Sequence, residues 1–266
     1  LLNVPFETVL ADFNDTEGTV ATIRAQGDKL AAVIVEPILG AAGNIPGEPD
    51  FLRALRRETE ACGALLIFDE VKTSRCGPGG MQGELGIRPD LTTLGKYIGG
   101  GLPTGAFGGR RDIMAHYDPA RPDALRHAGT FNNNPCSLAA GFAGLTQVYT
   151  VERARAFQSL YEEMRQGLNT WLCAQDMPMQ FTGRGSLFTA HFSPGPIRSP
   201  RDIPPASKRI GQLFHHEALA QGVALASRGD IFASLAAEPR HRDALRKAVE
   251  HFVATHGALV RAALGG

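Results

Sequence analysis

Two continuous apolar runs constrain this chain more than any other feature. The first, Ala31-Ala32-Val33-Ile34-Val35, ends at Glu36-Pro37, and the second, Ala64-Leu65-Leu66-Ile67-Phe68, ends at Asp69-Glu70-Val71. Each has the length of a strand and lacks the polar alternation of a half-solvated one, so each reads as a strand buried on both faces. Between them Asp50 is placed to cap a helix with Phe51, Leu52, Leu55 and Cys62 on one side. Gly63 closes that helix where a left-handed residue costs least. Strand, helix, strand within roughly 40 residues is a βαβ unit, which implies an α/β domain with a parallel sheet covered on both faces.

The next pieces are short strands at Leu91-Thr92-Thr93-Leu94 and Gly105-Ala106-Phe107-Gly108-Gly109, set among glycine-rich turns. Asn134 and Pro135, at N-cap and first helical position, open a helix to about residue 149. The pattern then changes. Phe157, Leu160, Tyr161, Met164, Leu168, Trp171 and Leu172 recur with helical period, and strands are expected around 179–182 and 187–192. A proline-rich loop over 193–205 and helices near 211–220 and 242–255 complete the chain. The expected organisation is a larger α/β domain over residues 1–150 and a smaller α+β domain over 151–266.

Charge and composition narrow the partners. The 266 residues carry 27 basic and 27 acidic side chains with no block of either sign, which gives no electrostatic footprint for nucleic acid or an anionic membrane. No apolar run approaches the roughly 20 residues of a spanning helix, and the first residues lack a signal-peptide pattern, so a cytoplasmic protein is expected. The four cysteines are far apart and the eight histidines, including His215-His216, show no ligand spacing, so reduced thiols and no metal site are expected. Glycine is in excess, 31 residues or about 12% against a usual ~7%.

Parallel α/β sheets bind ligands beyond the carboxyl ends of their strands, which directs attention to Asp69 and Lys96. Asp69 follows five apolar residues, and Lys96 stands between Leu94-Gly95 and the run Gly99-Gly100-Gly101. By position alone the two could be an ion pair at a strand edge. They are also the two groups a pyridoxal phosphate enzyme requires: an amine for the cofactor aldehyde and a carboxylate that keeps the ring nitrogen protonated. The glycine run is no nucleotide loop, since Gly95-Lys96 lacks both the earlier glycine and the following Ser or Thr.

Four stretches resemble class III pyridoxal phosphate aminotransferases. They are Val35-Glu36-Pro37, the run from Leu66 to Val71, the run from Asp90 through Lys96 to Gly101, and Ala128-Gly129-Thr130-Phe131-Asn132-Asn133-Asn134-Pro135. Gly105 to Arg110 and Met179-Gln180-Phe181-Thr182-Gly183 add a likeness to β-amino acid aminotransferases, beside one to glutamate-1-semialdehyde aminomutases. The resemblance runs from about residue 30 to the C-terminus. It implies the fold type I of PLP-dependent transferases, a mostly parallel sheet with helices on both faces, and pyridoxal 5′-phosphate as cofactor.

Roles follow from the resemblance residue by residue. Lys96 would be the Schiff-base lysine and proton shuttle, its amine kept available by desolvation and a cationic site. Asp69 would pair with the pyridinium, and Val71 would pack against a ring face. Thr130 would bind the cofactor phosphate of a neighbouring subunit, implying a homodimer with shared active sites. Arg228 would receive a substrate carboxylate, a task that suits a guanidinium fork. Glu36 and Arg75 also fall at family positions, and structural pairing is expected of both. The implied reaction moves an amino group from an amino acid, a β-amino acid first, to a 2-oxo acid; an intramolecular aminomutase is the alternative.

The family's phosphate-binding turn at a helix N-terminus, its ring-stacking aromatic residue and a further carboxylate-binding arginine lie upstream of the point matched by Leu1, and nothing here matches them. The chain is therefore expected to be the C-terminal portion of a longer protein, or else a catalytically incomplete polypeptide that binds cofactor poorly.

Overall fold

A computed structural model gives the structure of residues 7–130 and 132–265. Phe131, within the motif that follows Thr130, and residues 1–6 lie outside the described residues. Helix α1 (Thr16–Gln26), capped by the Asp15 side chain, precedes strand β1 (Ala32–Val35), a two-strand hairpin β2 (Ile38–Leu39) and β3 (Ile45–Pro46), and helix α2 (Pro49–Cys62). Strand β4 (Leu65–Asp69), helix α3 (Gly80–Leu85), strand β5 (Leu91–Gly95) and strand β6 (Gly105–Gly109) follow.

One sheet has the order β1-β4-β5-β6. Strands β1, β4 and β5 are parallel because a helix-bearing crossover joins each to the next. Strand β6 runs antiparallel to β5, because only the tight turn over 96–104 separates them. The sheet is mostly parallel, as expected, with its last strand antiparallel. Leu66 and Phe68 are fully buried under Ile23 of α1 and Phe51, Leu52 and Leu55 of α2. Ile34 points the other way and is 64% exposed, so that side of β1 is not covered by the described residues.

Helix α2 starts differently from the expectation. Pro49 is its first residue and Glu48 its N-cap, which leaves Asp50 inside the first turn. Glu48 makes no side-chain cap, since its carboxylate pairs with Arg198 and its N–H donates to Asn14 Oδ1. Gly63 closes the helix with φ +74°, as expected. Short helix α4 (Arg111–Met114) leads to α5 (Pro135–Ala143), where Asn134 Oδ1 accepts the N–H groups of Cys136 and Ser137. Beyond Ala143 the backbone continues as a π-helical turn, Gly144–Val148, in place of the α-helix expected there.

Helix α6 (Val151–Ala174) buries Phe157, Tyr161, Leu168 and Leu172 against a second sheet, while Leu160 of the expected stripe is 38% exposed. That sheet is antiparallel, in the order β7 (Gln180–Arg184), β8 (Leu187–His191), β9 (Asp230–Phe232). With α7 (Pro205–Ala220) and α8 (Pro239–Leu264) it encloses Phe181, Phe188, Phe192, Phe214 and Phe252. The two sheets are tied by hydrogen bonds that few local signals foretell: Thr182 Oγ1 to the Gly43 carbonyl, Asn44 Nδ2 to Thr189 Oγ1 and Arg75 Nη2 to the Ala233 carbonyl. These ties bring β9 beside the turn that follows β4.

The thiols differ in setting. Cys76 is buried, and burial pushes its thiol up to about 12, whereas Cys136 and Cys173 are exposed. Only thiolates alkylate. At pH 8 iodoacetamide is therefore expected to label Cys136 and Cys173 in the native protein and to spare Cys76, as read by peptide mass mapping. Labelling of Cys76 at the rate of the other two would contradict the burial described.

Candidate active site

The carboxyl ends of β4 and β5 meet side by side, with Asp69 in register opposite Thr93. The Thr93 hydroxyl donates to Asp69 Oδ1 at 3.0 Å, and the Val71 N–H donates to the same oxygen at 3.0 Å. Both donors converge on one oxygen, so the carboxylate is fixed in orientation. Among the described residues Oδ2 has no donor, and it is not sealed from solvent. An oriented carboxylate with one unspent oxygen fits a ring N–H that approaches from outside the sheet.

Lys96 is the first residue beyond β5 and adopts φ +54°, a left-handed conformation that costs a lysine about 1 kcal/mol or more. Close packing maintains it. Gly100, at φ +59°, passes so near α5 that a side chain there would collide with the Ala140 carbonyl, and one on Gly141 would collide with the Ile98 carbonyl. Glycine at these two places lets the turn after Lys96 lie directly on α5. Val71 lies across Gly95, its Cγ1 3.1 Å from where a side chain would begin, and so borders the same strand end as Asp69 and Lys96. The Lys96 side chain is exposed, a correction to the desolvated setting expected of it.

Neighbouring groups fall into structural and unspent sets. Glu70 is fully buried and accepts from the Met81 and Gln82 N–H groups, the Gln82 amide and the Thr73 hydroxyl, which fastens α3 to the turn after β4. Arg75 donates to the Ala233 carbonyl and has the structural role expected of it, although its partner is a carbonyl. Glu36 accepts only from the Gly40 N–H, through Oε2. Burial raises the Glu36 carboxyl above the usual range; the Gly40 N–H lowers it, the Asp69 charge raises it, and Lys72 and Lys96 lower it. Glu36 thus lies within the fields of Asp69, Lys72 and Lys96, and it has no ion-pair partner among the described residues.

Arg228 lies just before β9 and donates from Nη2 to Asp230 Oδ2 at 2.7 Å, with its side chain 63% exposed. The Asp230 carboxylate is buried and also accepts from the Thr189 hydroxyl. Thr130 is exposed in the turn before the α5 cap, and no described contact brings it to Asp69, Val71 or Lys96. Lys72, which the sequence patterns do not single out, stands beside this group. Its one sequence signal is a charged residue three places beyond Asp69, where the chain still lines the strand end. A cavity of about 680 Å³ lies elsewhere, between Asn169, Met177, Pro194 and Arg261, and contains none of these groups. No helix among the described residues is long and apolar enough to cross a membrane.

Residues 6–252 match the model of the family described as aminotransferase class III. The chain is 47% identical to a beta-phenylalanine transaminase from Variovorax paradoxus over 97% of its own length and 59% of that enzyme's. The crystal structure of the Variovorax paradoxus beta-phenylalanine aminotransferase superposes with a TM-score of 0.93 over 96% of this chain and 59% of that one, at 46% identity. A glutamate-1-semialdehyde 2,1-aminomutase from Pyrobaculum aerophilum is 42% identical over 82% of this chain and 51% of that protein. A transaminase with PLP bound superposes with a TM-score of 0.82 at 30% identity, over 94% of this chain and 57% of that one. The chain thus spans little more than half the length of the relatives it matches.

Proposed function

The chain belongs to the class III aminotransferase family, and on that premise we propose that the protein transfers the amino group of a β-amino acid to a 2-oxo acid. One observation carries the reading: an oriented Asp69 carboxylate with an unspent oxygen, next to Lys96 in a strained backbone conformation at the same strand end. The cofactor of the family is pyridoxal 5′-phosphate. The residues present fit its ring and its reactive end: Asp69 would face the ring nitrogen, Val71 would border a ring face and Lys96 would supply the amine. When bound, the cofactor carries the amino group between substrates and accepts the electron pair left when a C–H bond breaks.

The chain's own residues then divide the work. Asp69 Oδ2 accepts the ring N–H and holds its proton in place, while Thr93 and the Val71 N–H hold Oδ1. Lys96 Nζ takes the proton from the substrate carbon that bears the amino group and later returns it. Arg228, tethered to Asp230 through one nitrogen, presents the rest of its fork to a substrate carboxylate. Thr130, exposed and with no described contact to Lys96, would serve the phosphate site of a second copy, so a homodimer with shared sites is part of the proposal. So are a cytoplasmic location and a division near residue 150 into a larger and a smaller domain.

Borohydride reduction of the full-length protein with cofactor, followed by peptide mapping, is expected to place a pyridoxyl adduct on Lys96. An adduct elsewhere, or none, removes Lys96 from its role. Incubation with 3-amino-3-phenylpropionate is expected to convert the cofactor to its pyridoxamine form. Conversion only by the amino-oxo and diamino substrates of an aminomutase would decide for that reaction, which the Pyrobaculum relative is named for.

A further inference from the structure

Lys72 is a buried lysine whose ammonium faces an aromatic ring and, among the described residues, no counter-ion. It is 9% exposed, and among the described residues its ammonium makes no hydrogen bond and no ion pair. Its stem lies against Gly40, and Nζ is 4.6 Å from the centroid of the Phe232 ring. A side chain on Gly40 would begin 3.2 Å from Lys72 Nζ and 2.7 Å from Glu36 Oε2, so the two charged atoms are at most about 6 Å apart. They do not pair, which puts them beyond the 4.0 Å of an ion pair. Neither the Lys72 ammonium nor Glu36 Oε1 is fully enclosed by the described residues.

The other carboxylates nearby do not satisfy Lys72. Asp230 is spent on Arg228 and Thr189, and Asp69 Oδ1 on Thr93 and the Val71 N–H. A cation and an anion held apart at 4–6 Å, the first buried and the second partly so, are complementary to a ligand with one negative and one positive end. An amino acid is such a ligand. Its carboxylate and ammonium are separated by one or two carbons, which suits the gap.

We propose that Lys72 is a specificity-determining residue, receiving the carboxylate of the incoming amino acid while Glu36 faces its ammonium. The inference rests on the aminotransferase reading above and adds to it a second cation, distinct from Arg228, in the turn that follows β4. Burial lowers the Lys72 ammonium and raises the Glu36 carboxyl, so a ligand that brings each its counter-charge offsets a desolvation cost already present.

The test uses the full-length protein with cofactor and the variants Lys72→Met, which keeps the stem and removes the charge, and Lys72→Arg, which keeps the charge. Two quantities are read: the ratio of kcat/KM for 3-amino-3-phenylpropionate to that for 1-phenylethylamine, which lacks the carboxylate, and the Kd of 3-phenylpropionate by calorimetry. Lys72→Met is expected to lower the ratio and weaken 3-phenylpropionate by about 10- to 100-fold each, as for a lost charge-assisted hydrogen bond, with Lys72→Arg recovering most of both. Equal losses on the two donors, or a ratio and Kd unchanged in Lys72→Met, would overturn the assignment and leave Lys72 as a packing residue for Phe232. Should Lys72→Met fail to fold, Lys72→Gln is read against the same criteria. If the unaltered protein turns over neither donor, the aminotransferase reading fails, while the calorimetric comparison still decides Lys72.

Discussion

Replacing Lys96 with alanine in the full-length, cofactor-loaded protein is expected to reduce kcat for amino transfer by about 10⁴-fold, the upper end of what one positioned general base supplies. The size follows from the lack of a substitute. Lys72, the other lysine of this group, has its stem packed on Gly40 and its nitrogen over Phe232, so its amine is already held by other contacts. The fold itself should tolerate the change, because alanine meets the same left-handed backbone at φ +54° and the exposed Lys96 side chain makes no hydrogen bond among the described residues. Lys96→Gly is expected to be as inactive and to unfold at a higher temperature, since glycine adopts that φ without the ~1 kcal/mol penalty. Methylamine should restore part of the activity to Lys96→Ala by supplying a free amine. Residual activity above about 1% of the original, with no added amine, would remove Lys96 from the proton-transfer step.

How much of this was legible in the sequence depends on how local each signal is. The runs ending at Val35 and Phe68 declare buried strands because every residue in them is apolar, and the Asn134-Pro135 cap declares a helix because both its residues act on the next turn. The Asp50 cap misleads for the same reason: aspartate is a strong local signal, but Pro49 begins the helix one residue earlier and Glu48 is drawn off by Arg198, 150 positions away. The hairpin β2–β3 and strand β9 have two or three residues per strand, too few for a period to show; the hairpin turn is held by Thr182 and Thr189 through Gly43 and Asn44, and β9 by its pairing with β8. The reach of those bonds also explains the site. Asp69 and Lys96 could be proposed from strand-end position and motif, whereas Lys72 becomes visible only once β9 folds Phe232 over it. Arg228 was legible as a candidate by resemblance, yet its tether to Asp230 is an i,i+2 pair across a turn that required Gly229 at φ +83° beneath the Ala190 carbonyl.

Asp69→Asn is the second large effect expected, a loss of about 10²- to 10³-fold in kcat, or roughly 3–4 kcal/mol of transition-state stabilisation. Asparagine retains an oxygen that can accept from Val71 N–H and Thr93 Oγ1, so the side chain keeps its orientation and stability changes by only about 1 kcal/mol. What changes is the atom at Oδ2, where an NH₂ donor replaces an acceptor and a negative charge disappears. A ring N–H that met a carboxylate would then meet another donor, and the proton on the ring nitrogen would no longer be held. Thr93→Val separates orientation from charge: the carboxylate remains, one of its two positioning bonds is lost, and a fall of about tenfold or less is expected. The order Asn far below Val, with similar melting temperatures for both, is the signature of a charge acting on a ligand. The reverse order would mean that Asp69 serves the fold, holding Thr93 and the turn to Val71, and that the unspent oxygen has no partner in the reaction.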